Sequence, residues 1–238
     1  MANSLILNGI SSTTIKGLLI QNLPPISKPK IRAEAEEIDG RDGDIITTLG
    51  YGAYDKEFQI GLYDDFDIDQ IIAYFNSSGT VTFSNEPDKY YNYQILEQID
   101  FERLLRFRTA TVKMHIQPFK YSLADNSKTF SISQGTTQVQ IRNLGNIYSK
   151  PILTLTGTGT INLYLNEVQI FTISLGATAT IIAIDINNMN AYNPSDNTFL
   201  NRLVTGNYDN FRLLVGKNII SWTGTITQIN IQNYSRWI

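Results

Sequence analysis

The stretch "PILTLTGTGTINLYLNEVQIFTISLGATATIIAIDI", residues 151–186, decides the fold class of this chain. It consists of short runs rich in Ile, Leu and Thr, separated by Gly- and Asn-containing turn signals about every eight to twelve residues. No apolar stripe with helical spacing occurs in it. The stretch therefore predicts antiparallel β-strands joined by turns, which is the pattern of a β-sandwich or a jelly roll.

The same pattern continues on both sides, so we predict a single β-sandwich over residues 129–238. The further strands are predicted in "TFSIS", "TQVQI", "NFRLLV", "NIISWTG" and "TQINIQNY". Within the opening stretch, Gly157-Thr158-Gly159 resembles part of a phosphate-binding loop, but no helix follows it and the next glycine is missing. We therefore predict a hairpin turn at these glycines.

The first part of the chain, residues 1–122, carries most of the charge and is predicted to be a mainly β domain. In "PKIRAEAEEI", Arg32, Glu34 and Glu36 share one face of a strand, and Ala33 and Ala35 form a small-residue inner face. The following strand, "KEFQIGLY", points its apolar residues Phe58, Ile60 and Leu62 inward. A later strand is predicted in "RFRTATVKMHIQPF", residues 106–119.

One helix is predicted in the first part, within "DDFDIDQIIAYFNSSG", residues 64–79. Asp65 or Asp67 can cap its N-terminus, and Asn76 begins the run that ends it. The predicted buried stripe has the spacing i, i+3, i+4 and i+7 and consists of Ile68, Ile71, Ile72 and Phe75. After this domain, residues 123–128 lack any apolar period and are predicted to be a linker.

The segment "EEIDGRDGDII", residues 36–46, suggests a metal loop because Asp39, Asp42 and Asp44 crowd together there. The spacing does not match a calcium loop, Arg41 lies among the acids, and no Glu follows at the required distance. Two Asp-Gly pairs supply the positive φ angles of tight turns instead. We therefore predict a turn between two strands and no bound metal or cofactor.

No residue pattern marks a catalytic centre. The carboxylates Glu34, Glu36 and Glu37 lie on or beside a strand without the apolar pocket that a catalytic carboxylate pair needs. His115, the single histidine, is expected on the outer face of its strand with Lys113 and Gln117. We therefore predict that the protein is not an enzyme.

Aromatic residues raise the possibility of sugar binding. Tyr90, Tyr91 and Tyr93 in "DKYYNY" suit either stacking on a ligand or an amphipathic strand at an edge or a subunit contact, and we favour the strand. The formal net charge of −3 argues against nucleic-acid binding, which needs concentrated Lys and Arg. There are no Cys residues, and no apolar run is long enough to span a membrane.

The order of elements resembles that of the distal tail protein (Dit) family of long-tailed, non-contractile phages. The resembling segments are "IDGRDGDI", "DKEFQIGLY", "DIDQIIAYFNSSG", "TVTFSNEPDKYYNYQI", "HIQPFKY", "IRNLGNIYSKPILTLTGTG", "IIAIDI" and "VGKNIISWTG". They include an Asn-x-Gly-Asn and a Gly-x-Asn pattern. Each segment is short, and their order and spacing carry the resemblance over nearly the whole chain.

This resemblance implies a tail-tube-like N-terminal domain that forms a homohexameric ring, and a galectin-like C-terminal β-sandwich. It implies a virion protein at the distal tip of the tail, made in the host cytoplasm without a signal peptide. The implied partners are copies of the chain itself, the major tail tube protein, the tail-associated protein, and receptor-binding or baseplate proteins. No nucleic-acid recognition or membrane insertion is implied.

Ring formation suggests a hypothesis about the subunit contact. The acids Glu34, Glu36 and Asp42 and the bases Arg103, Arg106 and Arg108 have opposite charges that can meet across the boundary between neighbours. The alternative hypothesis is a carbohydrate-binding module for host cell-wall polysaccharide, using tyrosines such as Tyr164 or Tyr192. The sugar-binding signature of galectins is not expected, because it requires a His and the second part has none; Trp222 there is a candidate core residue.

Overall fold

The computed structural model describes residues 3–125, 128–133 and 135–238. It consists mainly of β-strands, which confirms the predicted fold class. The chain divides into two compact units, the first ending at Lys120 and the second running from Tyr121 to Trp237. Each unit has its own hydrophobic core.

The first unit contains one large sheet, one separate ribbon and two helices. Its strands are β1 (Leu5–Leu7), β2 (Ile10–Ser11), β3 (Leu18–Ile20), β4 (Ile31–Glu37), β5 (Asp44–Tyr51), β6 (Tyr54–Leu62), β7 (Ser78–Phe83), β8 (Lys89–Gln94) and β9 (Thr109–Ser122), which extends into the second unit. Its helices are α1 (Ile68–Phe75) and α2 (Phe101–Phe107). The sheet order is β2-β1-β7-β8-β9-β6-β3, and β4 pairs with β5.

The core of the first unit lies between the large sheet and α1. Phe58, Ile60 and Leu62 on β6 are buried, as predicted, and Ile71 and Phe75 of α1 belong to the same cluster. Burying a side chain of this size stabilises the folded state by about 1.5–3 kcal/mol. Because apolar residues alternate along β6, one face of the sheet packs against the helix.

Helix α1 confirms the predicted element and corrects its buried face. Asp67 is the N-cap, and its side chain accepts hydrogen bonds from the backbone N–H groups of Asp69 and Gln70, each at 3.1 Å. Tyr74 is buried in place of Ile72, which is exposed. The buried face therefore consists of Ile71, Tyr74 and Phe75. The hydroxyl of Tyr74 donates a hydrogen bond to the carbonyl of Ile10 at 3.1 Å, which holds this ring on the buried side.

Helix α2 was not predicted. The strand expected over residues 106–119 begins only at Thr109, and Arg106 and Phe107 belong to α2 instead. The side chain of Asp100 caps this helix by accepting from the N–H of Arg103 at 2.8 Å, and Leu104 is its buried residue. The prediction was wrong because the alternation of Arg106, Phe107 and Arg108 matches a strand as well as it matches the end of a short helix.

The second unit is made of strands, most of them short, and two long ones. They are β10 (Lys128–Ser131), β11 (Gln138–Asn143), β12 (Ile152–Leu165), β13 (Val168–Ser174), β14 (Thr180–Asp185), β15 (Asn190–Tyr192), β16 (Val204–Gly206), β17 (Gly216–Gln232) and β18 (Arg236–Trp237). Apolar residues alternate along β12 and β17 and point into one core. This confirms the predicted sandwich of alternating strands.

The two long strands lie at the centre of the eight-stranded sheet of the second unit. The first half of β12 pairs with β14 and its second half with β13, while β17 runs beside both halves. The register of β12 against β17 shifts between Thr156 and Gly157 and again between Thr158 and Asn162, so the pairing is irregular at the glycines. The predicted hairpin turn at Gly157-Thr158-Gly159 is therefore wrong, because these residues lie within one continuous bent strand.

The predicted linker, residues 123–128, includes residues 126 and 127, which lie outside the described residues. Leu123–Asp125 form a short 3-10 helix, and Lys128 begins β10. Asp125 is buried, and its backbone carbonyl accepts a hydrogen bond from Asn233 at 3.2 Å. This part of the segment is therefore anchored within the second unit.

Candidate functional site

The most distinctive surface of the first unit is the two-stranded ribbon β4–β5, residues 31–51, which we call the arm. Its strands pair only with each other, from Ile31 opposite Tyr51 to Glu37 opposite Asp44. All of β4 and all but the last two residues of β5 are exposed. The small-residue face that the sequence placed inward, at Ala33 and Ala35, is therefore uncovered in the isolated chain.

The two faces of the arm differ in chemistry. One face carries Ala33, Ala35 and their cross-strand neighbour Ile46, which is 68% exposed. The other carries Glu34 and Glu36, as predicted from the alternation. The arm contains two arginines and six carboxylates, so it has an apolar face and an excess of negative charge.

The tip of the arm confirms the predicted turn. Gly40 and Gly43 have φ angles of 81° and 77°, which supply the left-handed conformations that the two Asp-Gly pairs indicate. Asp42 lies in this turn and is exposed. Among the described residues, no group of three or more His, Cys, Asp or Glu side chains is arranged to hold a metal ion.

The predicted basic residues lie at α2. Arg103 and Arg106 are exposed on the helix, and Arg106 pairs with Glu102 at 3.0 Å. Arg108 is the C-cap, with a φ of 58°, and its guanidinium lies over the ring of Phe66 at 4.9 Å. All three arginines are exposed, and Arg108 also packs on its own chain.

Exposed apolar side chains surround these arginines. Phe107 is 70% exposed, and Leu96 and Leu105 are also exposed. Arg103, Arg106 and Phe107 line an open depression of about 460 Å³ together with Asp100 and Glu102. We call Arg103, Leu105, Arg106 and Phe107 the α2 surface; it combines cationic and apolar groups, the complement of the arm.

His115 lies where the sequence placed it, on the outer face of β9. Its Nδ1 is 2.9 Å from the Oδ1 of Asp55, and the amine of Lys113 bridges Asp55 at 3.1 Å and Glu97 at 2.6 Å. The hydrogen bond to His115 and then that to Lys113 lower the pKa of Asp55 below its usual value. In the described part of the chain this cluster pairs charges with charges and contains no nucleophilic hydroxyl, so it is an ion-pair network on the sheet.

A second charged cluster, which the sequence analysis missed, is buried in the first unit. Lys120 lies 2.9 Å from Glu86, and the hydroxyl of Tyr91 donates to the same carboxylate. Lys56 donates to the carbonyl of Pro25 at 2.6 Å, and burial lowers the pKa of its amine. Every group in the cluster has a partner, so we interpret it as a structural network.

The tyrosines of β8 correct both interpretations offered for them. Tyr90, Tyr91 and Tyr93 are buried, and β8 lies between β7 and β9 in the interior of the sheet. They are therefore neither a stacking platform nor part of an edge. Trp222 is a core residue of the second unit, as expected, and Tyr164 and Tyr192 are partly exposed, so carbohydrate binding by these two tyrosines stays a prediction.

The Asn- and Gly-containing motifs of the second unit have a structural role. The amide of Asn143 donates to the carbonyls of Ile147 at 2.9 Å and Leu213 at 3.0 Å, and its oxygen accepts from the N–H of Gly145 at 2.8 Å. The amide of Asn218 likewise accepts from the N–H of Leu214 at 2.9 Å and donates to its carbonyl at 2.7 Å. Both motifs hold loops at one end of the sandwich.

No protein-family model matches the sequence, and no curated protein matches it. In the part of the chain that the structure describes, no helix is long and apolar enough to cross a membrane. The fold defines a class of mainly β protein with two compact units.

Comparison with solved structures shows which known proteins share this fold. The chain has the fold of the SPP1 Dit protein (gp 19.1), described as a paradigm of the hub adsorption apparatus in phages that infect Gram-positive bacteria. The TM-score is 0.64 with 15% sequence identity over 100% of both chains. Two structures of the phage p2 baseplate in its activated conformation, with Sr and with Ca, give TM-scores of 0.49 and 0.48 at 11% and 10% identity; they cover 97% and 100% of this chain, and 97% and 99% of theirs.

Proposed function

We propose that the protein is a non-enzymatic structural adaptor at the distal tip of a phage tail, where copies of it form a hexameric ring. The uncovered arm is the observation that carries this proposal. The likeness in fold to the SPP1 Dit protein along the whole of both chains supports it.

The arm favours assembly because, apart from the ring contact of Tyr51 with Phe119 at its base, its strands pair only with each other in the described part of the chain. An isolated two-stranded ribbon is only marginally stable in water, and this one also exposes Ile46 and Leu49. A surface on another molecule would bury these side chains. A cyclic ring provides one, since each copy uses one surface to bind a different surface of its neighbour.

The α2 surface is the complement that we propose for the arm. Glu34, Glu36 and Asp42 make no ion pair with any other described residue, and Arg103 is likewise unpaired. Opposite charges across the boundary fix the orientation of the two copies, and the apolar groups beside them contribute burial. Arg108, which packs over Phe66, positions the end of the helix.

The remaining partners follow from the resemblance to the distal tail family. The ring would join the major tail tube protein on one side to the tail-associated protein on the other. The second unit, which we propose is galectin-like, would face outward and hold receptor-binding or baseplate proteins. The protein would then be found in the virion at the tail tip.

Light scattering coupled to size exclusion tests the ring and its contact. We expect the wild-type protein to reach the mass of six chains as its concentration rises. The variant R103E/R106E should remain monomeric, and adding E34R/E36R to it should restore assembly. The matched control is R202E, which reverses an exposed arginine of the second unit and should assemble normally.

The outcomes distinguish failure of the proposed contact from failure of the proposed ring. If R103E/R106E assembles as the wild type does, the α2 surface is not the contact, although a ring can still form. If the wild-type protein stays monomeric at all concentrations and antibodies against it do not label purified tail tips, the proposed function is wrong.

A further inference from the structure

A second exposed apolar surface lies at one end of the second unit. It consists of Leu144, Val168, Leu214 and Val215, which are 61%, 60%, 58% and 56% exposed, and we call it the aliphatic patch. A bridge between Asn143 and Val215 places two of its loops side by side. Val168 and Leu214 line one open groove of about 500 Å³. Clustered exposed aliphatics of this kind indicate a protein interaction site.

The loops that carry the patch are held by side-chain amides, of which those of Asn143 and Asn218 are buried and that of Asn166 is exposed. Asn143 and Asn218 bond the backbone on either side of Leu144 and Leu214, as described above. Asn166 completes the set, because its oxygen accepts from the N–H of Ile219 at 2.9 Å and its amide donates to Asn218 at 3.2 Å. Loops with fully bonded amides hold one conformation, so little entropy is lost when a partner binds.

Two cations lie opposite each other beside the patch, and Glu167, next to Val168, is an exposed carboxylate at its other side. Arg142 on β11 lies directly opposite Lys217 on β17, and both are exposed. Like charges in this position repel each other, and neither residue forms an ion pair within the described residues. An anionic group bound between them would remove the repulsion.

The charges at the groove itself are already compensated. Asp209 is 2.9 Å from the amine of Lys150. Arg212 donates from its Nε to the carbonyl of Asp209 at 2.7 Å and stacks over Tyr148 at 4.9 Å. The groove therefore offers an apolar wall beside a satisfied polar rim, which suits an apolar side chain better than a charged one.

We propose that the aliphatic patch and the Arg142–Lys217 pair dock an acidic segment of a different protein. One aliphatic or aromatic side chain of that segment enters the groove between Val168 and Leu214, and a neighbouring carboxylate lies between Arg142 and Lys217. The apolar groove favours a polypeptide over a nucleic acid, which would need several cations and stacking surfaces. This docking site does not depend on ring formation.

Selection from a library of random fifteen-residue peptides displayed on yeast tests the proposal with the full-length protein. We expect the enriched peptides to combine acidic residues with a large apolar residue. Binding of an enriched peptide should fall by about tenfold or more in L214S/V215S. It should also fall in K217E, where a peptide with Lys in place of its acids should bind again.

Two controls show whether a loss of peptide binding comes from the patch itself, and not from unfolding or from the loss of any exposed aliphatic residue. The patch residues are exposed, so L214S/V215S should unfold at the same temperature as the wild type. I26S, which changes an exposed aliphatic in the first unit, should leave peptide binding intact.

Three results would overturn the proposal. The first is enrichment of basic or uncharged peptides, and the second is equal binding to wild type and L214S/V215S. The third is binding of a synthetic arm peptide, residues 31–51, at the patch, which would make the occupant a second copy of this chain.

Discussion

At the scale of single residues, Asn143 and Gly145 show how a short sequence motif can hold a loop in place by hydrogen bonds and close packing. The side chain of Asn143 is buried and bonds two carbonyls and one N–H. A Cβ at Gly145 would lie 1.9 Å from the carbonyl oxygen of Arg236, so no other residue fits. The motif is recognisable in the sequence, but two of its partners, Leu213 and Arg236, lie 70 or more residues away and are defined only by the fold.

A buried carboxylate provides a prediction at the same scale. Burial first, and then the hydrogen bond to Asp125, raise the pKa of Tyr234 to about 12. In the unfolded chain this pKa is about 10. The stabilisation from the protonated hydroxyl is therefore fully present below pH 10 and is lost as the pH rises from about 10 to about 12.

We expect Y234F to lower the free energy of unfolding at pH 8 by about 1–2 kcal/mol, because the buried Asp125 loses a donor. The difference from wild type should shrink at pH 11, as measured by denaturant unfolding. The control Y63F changes an exposed ring and should match the wild type at both pH values. A difference for Y234F that is the same at pH 8 and pH 11 would contradict this account.

At the scale of elements, glycines mark bends in continuous strands as well as turns. The sequence analysis ended strands at Gly157 and at Gly224, whereas β12 and β17 continue through both. Gly224 has a φ of 92°, and a Cβ there would lie 2.4 Å from the carbonyl oxygen of Thr160 on the neighbouring strand. The two long strands can approach each other this closely only because these positions lack a side chain.

We predict that G224A destabilises the protein by more than about 2 kcal/mol, through the positive φ and the clash with Thr160. The matched control is G176A, since nothing lies within 4 Å of the added methyl, and it should change stability by less than about 0.5 kcal/mol. Thermal or denaturant unfolding measures both. If the two variants lose the same stability, the bend does not require glycine.

At the scale of the whole molecule, the arm and the aliphatic patch are more informative about function than any cleft. Each combines exposed apolar side chains with charges that lack partners in the described residues, and neither places a nucleophile beside a base. Such surfaces suit association, in which area is buried between molecules, better than catalysis. Under the proposed function, the arm gains stability when another molecule covers it.

Amide hydrogen exchange tests whether the arm is covered when the protein assembles. In dilute monomer, we expect the amides of β4 and β5 to exchange much faster than those of Ile220 and its neighbours in β17. When the protein is concentrated enough to assemble, the arm amides should become protected and those of β17 should not change. Arm amides that exchange equally fast in monomer and assembly would show that the arm lies outside the contact.

Local sequence patterns were enough to predict the mainly β class, the helix at Ile68–Phe75 with Asp65 or Asp67 as its cap, the inward face of β6 and the turn at Gly40 and Gly43. These features depend on residues a few positions apart, so alternation, capping and turn chemistry are enough to predict them. Only the tertiary structure decided that Gly157 and Gly224 bend strands, that the β8 tyrosines are buried, and that the alanine face of the arm is uncovered. Each of these depends on which distant strand, if any, lies alongside, and no local pattern encodes that.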